Sequence, residues 1–114
     1  MRATIASAAF PVVFAAAVAT VTGQDLRLVT AAANQDTQTV QALLAEGVDV
    51  NTPRADGATA LLWATHWDAL DTVDLLLRAG ADVNTADDHG VTPLARAAEN
   101  ASLPMVERLL GAGA

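Results

Sequence analysis

The chain has 114 residues, 53% of them hydrophobic, with seven Gly, four Pro and no Cys. That length suits one domain, the composition is neither low in complexity nor apolar-poor enough for disorder, and disulfide and thiolate chemistry are excluded outright. Thirteen acidic residues face six basic ones, all Arg, for a net charge of −7. Without a Lys/Arg cluster to neutralise phosphates, nucleic acid and anionic membrane surfaces are disfavoured, and a basic or neutral partner is expected.

Met1-Arg2 opens the chain with positive charge, and Ala3 to Val21 is almost wholly apolar. Ala17-Val18-Ala19 offers a small-x-small cleavage site, so residues 1–19 read as a secretory signal peptide. Retention as an anchor helix is the alternative, because the run is nearly long enough to span a bilayer. Pro11 in mid-run and the small-residue site favour cleavage. The mature chain then begins near Thr20, more negative still, and is expected in the periplasm or outside a bacterial cell. Membrane contact is expected only if the segment is retained.

After a spacer at 20–24, Asp25 is placed to cap a first helix, Leu26 to Ala33, with Leu28, Ala31 and Ala32 inward. Asp36 caps a second, Thr37 to Ala45, with Val40, Leu43 and Leu44 inward and Gly47 as a left-handed stop. Val48 to Asn51 reads as extended and Pro53 to Gly57 as a turn. Thr59 caps the next helix, Ala60 to His66, and another runs from Leu70 to Ala79 before Gly80. In the third unit Thr92 is the cap and Pro93 fills the first helical position, where a missing N–H costs nothing. Ser102 caps the last helix, whose predicted buried stripe is Met105, Val106, Leu109 and Leu110.

These elements repeat at a constant offset of 33 residues: Leu28, Leu61 and Leu94; Val40, Val73 and Val106; Leu44, Leu77 and Leu110; Gly47, Gly80 and Gly113. Gly57 pairs with Gly90, Thr59 with Thr92 and Asn51 with Asn84. A fixed period of this size means stacked units, none able to bury its apolar face alone. The chain resembles the ankyrin repeat family. The third unit carries Gly90, Thr92-Pro93-Leu94, Ala97-Ala98, Val106, Leu109-Leu110 and Gly113-Ala114; the second carries Gly57, Thr59, Leu61, Ala64, Val73, Leu76-Leu77, Gly80-Ala81 and Asn84. The resemblance implies an all-α solenoid over 25–114, in units of about 25–53, 54–86 and 87–114, serving as a non-enzymatic protein-binding scaffold.

Departures from the family pattern are specific. Leu62 and Ala95 stand where the family has His, Ala60 replaces a Pro, and Gln35, Asp68 and Ala101 replace the Gly between paired helices. The first unit fits a terminal cap, whereas the chain stops at Ala114 where another unit is expected. The sequence therefore reads as a truncated array, or as a chain whose end leaves one face open. In the first case the segment serves as a spacer or cap in a longer array, or as accessory repeats beside a further domain.

The resemblance places partner contacts at the hairpin tips and the exposed end of each first helix. By register these are Ala33 and Asn34; Ala55, Asp56, Ala58, His66 and Trp67; and Asp88, His89, Val91, Glu99 and Asn100. The binding set expected from these positions is Asp56, His66, Trp67, Asp88, His89, Glu99 and Asn100. Trp67 lies in a column otherwise filled by Asn34 and Asn100, and is either an interface anchor or a ring lying flat on its own unit. Trp63 is expected between adjacent helices with Arg96 stacked on it. His66 is expected beside Glu99 and His89 beside Asp56, as solvated ion pairs of little energy. Asn51 and Asn84 read as loop anchors. No dense ligand spacing for a metal appears, Asp87-Asp88 is too short for a calcium loop, and no cofactor motif is present. Beyond the leader there is no Lys or Tyr and a single Ser, so catalysis has no nucleophile to build on.

Overall fold

The computed structural model describes residues 25–114. The expected leader, its cleavage site and the spacer at 20–24 lie outside these residues. Six helices form three antiparallel pairs: α1 Arg27–Ala33 with α2 Thr37–Glu46, α3 Ala60–His66 with α4 Leu70–Arg78, and α5 Pro93–Glu99 with α6 Leu103–Gly111. No strand occurs among the described residues. The first helix of each pair packs on its counterpart, α1 on α3 and α3 on α5, so the layers stack in sequence order.

Local chemistry sets the ends of these helices. The side chains of Asp36, Thr59, Thr92 and Ser102 accept from the backbone N–H groups of Thr39, Leu62, Ala95 and Met105, each satisfying a donor the helix cannot. Asp25 does not cap: the N-cap of α1 is Leu26, and the Asp25 carboxylate instead takes the Arg27 backbone N–H and guanidinium. Each turn inside a pair passes through a left-handed residue, Gln35 (φ 60°), Asp68 (φ 56°) and Ala101 (φ 54°). The Cβ clash makes that conformation uphill for all three. The expected extended stretch at Val48–Asn51 is instead a bend, closed by the Asn51 N–H on the Asp49 carboxylate at 2.9 Å.

The core is continuous through the three layers. Leu28, Val29, Val40, Leu43, Leu61, Val73, Leu76, Ala97, Met105 and Leu109 are buried in one cluster. Full burial of a side chain such as Leu61 or Leu76 stabilises by about 1.5–3 kcal/mol. Ala31, Ala64 and Ala97 occupy one register and are all buried, so small side chains line the seam where α1, α3 and α5 meet. The stripe expected on α6 is half right: Met105 and Leu109 are sealed, Val106 is partly buried, and Leu110 is 53% exposed. Leu103 joins it on the surface.

Polar bonds also link the layers. Asn51 donates to the Gly80 carbonyl at 3.3 Å and accepts from the Asp82 N–H at 2.7 Å, and Asn84 repeats the first contact on Gly113 at 3.4 Å. Both are loop anchors, as their spacing predicts. On the other side Arg108 of α6 pairs with Asp74 of α4 at 2.7 Å. No helix among the described residues is long and apolar enough to cross a membrane.

Candidate functional site

The loops before α3 and α5 are small knots built on carboxylates. The Asp56 side chain accepts from the Ala58 N–H at 3.0 Å, and that of Asp87 accepts from the N–H groups of His89 and Val91 at 2.9 and 3.0 Å. The Val91 N–H, followed by the His89 N–H, holds the Asp87 carboxyl below the usual carboxylate range, aided by the charges of His89 and Arg96. The two tips are joined directly, the Asp88 N–H donating to the Asp56 carbonyl at 2.9 Å. Gly57 makes the joint possible. Its φ is +83°, and a Cβ there would fall 2.8 Å from the Asp88 carboxylate and 2.9 Å from the Asp88 nitrogen.

Between these tips and helices α3 and α5 lies a cavity of about 210 Å³, lined by Asp56, Ala58, Leu62, Trp63, His66, Asp87 and Arg96. Trp63 is partly buried and packs against the core. The expected stacking partner is wrong: Arg54, from the preceding loop, lies over the Trp63 ring at 5.6 Å. Arg96 turns instead to Glu99, at 3.0 Å. Trp63 Nε1 and Arg96 Nε, on two of the lining residues, are themselves closed off from solvent and have no hydrogen-bond partner among the described residues. A buried donor left in that state costs about 1–3 kcal/mol.

Beside the cavity, His66 stands edge-on to both tryptophans, at 5.4 Å from Trp63 and 4.7 Å from Trp67. The two indoles stack at 6.4 Å. Trp67 is 41% exposed, yet its N–H donates to the Ala33 carbonyl at 3.0 Å. Asn100 makes the equivalent contact one layer on, to the Thr65 and His66 carbonyls, both at 3.1 Å. That column therefore bonds each layer to the one before, closing the last turn of the earlier helix. The Trp67 ring stacks on Trp63 of its own unit while its N–H bonds to the neighbouring one, and part of the ring stays exposed.

A family model described as ankyrin repeats (three copies) matches residues 28–114, well over half of the chain. The chain belongs to the ankyrin repeat family. No curated protein matches it. Ankyrin repeats are generally protein-interaction modules and generally non-enzymatic.

Within the ankyrin stack the predicted contact residues divide. Asp56, His66, Asp88, His89 and Glu99 are exposed on the tips and on α3 and α5, and Asp56 and His66 also line the cavity. Trp67 and Asn100 are exposed but tied to the preceding repeat. Ala58, expected at a tip, is buried. Neither predicted His–carboxylate pair forms: Glu99 is taken by Arg96, and the Asp56 carboxylate takes the Ala58 N–H in its own loop. Sequence reasoning missed Leu62, Arg54 and Asp87 as parts of this site. Leu62 was the one with a signal, because it stands where ankyrin repeats have His and so faces the loops. Among the described residues no three His, Asp or Glu side chains converge as metal ligands would.

Proposed function

We propose that this chain is an exported, non-enzymatic scaffold that binds another protein through the hairpin tips and the exposed sides of α3 and α5. The observation that carries the reading is the cavity between consecutive repeats, where Trp63, His66 and Arg96 meet the carboxylates of Asp56 and Asp87 at the hairpin tips. Asp56 and His66 line it, Asp88, His89 and Glu99 stand exposed on the next tip and on α5, and the partly exposed Trp67 ring beside His66 offers an aromatic anchor of the type that dominates protein interfaces. The net charge of −7 favours a basic or neutral partner. Export rests on the apolar leader with its small-residue cleavage site.

A photo-crosslinking amino acid tests the surface in the producing cell. Placed at Asp88 or Glu99 it gives a discrete protein adduct; placed at Gln41 or Glu107, exposed on α2 and α6, it does not. Equal adducts from both faces, or adducts from the second alone, would move the interface elsewhere. A second reading, a spacer within a longer array, is favoured by the exposed Leu103 and Leu110 on the outer side of α6. It predicts no adduct from either face.

A further inference from the structure

The repeat shows what the front of the first layer leaves uncovered. Thr39 is exposed, whereas Thr72 and Met105, one and two repeats on, are buried, and the Thr72 hydroxyl meets that of Thr37 in the layer before at 3.2 Å. Leu26 is 38% exposed where Thr59 is buried. Trp67 and Asn100 reach carbonyls of the layer before, and Asn34, at the same register, has no described layer to reach. The result is a groove of about 630 Å³ between α1 and α2. Leu26, Ala31 and Leu43 give it apolar walls, Asp25 stands on its rim at the start of α1, and Asn34 and Asp36 stand at the far end.

The chain before Asp25 enters at that rim. In the next two units the equivalent stretch folds into a hairpin tip through Gly57 and Gly90, at φ +83° and +81°. Gln24 stands at that register, where a side chain makes the left-handed turn costly, so this stretch is not bound to form a tip. Thr20-Val21-Thr22 is uncharged and β-branched throughout, a composition suited to extended chain. Four extended residues carry Val21 up to about 13 Å from Asp25. The seven residues of α1 cover about 10 Å, so Val21 can reach any point along the groove. We propose that residues 20–24 fold back along the groove between α1 and α2, with the Val21 side chain over Ala31 and Leu43, as the front cover of the first repeat. Thr30 and Asn34, both lining the groove, offer a hydroxyl and an amide to the backbone of the segment. The short tether gives it a local concentration that a separate molecule does not match. A second copy would instead have to lay the exposed Leu103 and Leu110 of its α6 against Thr30, Thr39, Asp25 and Asp36, an apolar face on a polar rim. The segment follows the expected cleavage site, so the cover is in place whether the leader is kept or removed.

The full-length, methyl-labelled chain tests the contact directly. NOEs connect the Val21 γ-methyls with the Ala31 β-methyl and the Leu43 δ-methyls within one molecule. Val21→Asp removes the contact and speeds amide hydrogen exchange along α1 about tenfold, the worth of one buried apolar side chain, while Val21→Ile leaves exchange as it was. Val21 methyls without an NOE to α1 or α2 would overturn the proposal, as would α1 exchange unchanged in Val21→Asp. Val21 lies outside the core, and the wild-type NOEs decide alone should Val21→Asp fail to fold. In a mixture of labelled and unlabelled chains, NOEs that arise only between copies and fade on dilution would assign the groove to a second copy and refute the folded-back segment.

Discussion

Gly57 and Gly90 occupy the same place in consecutive hairpins with nearly the same φ, +83° and +81°, yet only Gly57 has a neighbour. Alanine at either position incurs the left-handed penalty of about 1–2 kcal/mol, less a few tenths to 1 kcal/mol from a less flexible unfolded chain. These contributions cancel in the comparison. At Gly57 the new methyl would lie 2.9 Å from the Asp88 nitrogen and 3.1 Å from the Asp87 Cα, backbone atoms that no rotamer change can remove. The tips must part, which stretches the 2.9 Å bond from the Asp88 N–H to the Asp56 carbonyl. Losing that bond costs about 1 kcal/mol and residual crowding about another 1 kcal/mol. Gly57→Ala should therefore destabilise by about 2 kcal/mol more than Gly90→Ala, a gap of roughly 10 °C in Tm for a domain of this size. Urea titrations of both variants, read by tryptophan fluorescence and helical circular dichroism, measure the difference. Equal losses would refute the joined tips and, with them, the cavity behind the joint.

Other expectations follow from named contacts. Ala101 adopts φ 54° without a polar side chain to support it, so Ala101→Gly should raise stability by about 0.5–1 kcal/mol in a urea midpoint, against the usual direction of Gly substitution. Trp67→Phe keeps the exposed ring but deletes the bond to Ala33; about 1 kcal/mol should be lost, together with hydrogen-exchange protection at the end of α1. Asp36 is held below the usual carboxylate range first by the Thr39 hydroxyl and then by its N–H, and Asp87 by the N–H groups of Val91 and His89. A lowered folded pKa gives stability that is fully present above the unfolded value near 4 and is lost as pH falls through the lower folded value. A denaturant midpoint flat from neutrality to about pH 5 and falling below pH 4 is expected, with a shallower acid slope in Asp87→Asn. If the leader is removed on export, intact mass should place the new N-terminus near Thr20.

The repeat made most of the fold legible. Side chains 33 residues apart must meet equivalent neighbours, so one well-capped unit located the others: Thr59, Thr92 and Ser102 cap where expected, and Asn51 and Asn84 anchor their loops. Register failed wherever side-chain direction mattered. A one-repeat shift puts Arg96 beside Trp63, but a long Arg can choose its partner, and Glu99 one turn away on the same helix wins. The vacated indole face goes to Arg54, a loop residue that no periodicity points to. Asp25 was misread because the nearby Arg27 offers it a guanidinium as well as a backbone N–H. Nothing in the sequence distinguishes Asp87 from other loop carboxylates, since only the folded hairpin reveals its two backbone donors.

Each layer packs on its neighbours, α3 meeting α1 on one flank and α5 on the other. A methyl and amide NOE map of the full-length chain measures this directly. It should connect Leu61 and Ala64 of α3 to both flanking helices and show no cross-peak between α1 and α5. A dense set of contacts between α1 and α5 would mean a closed bundle rather than a linear stack, and the cavity between consecutive repeats would go with it.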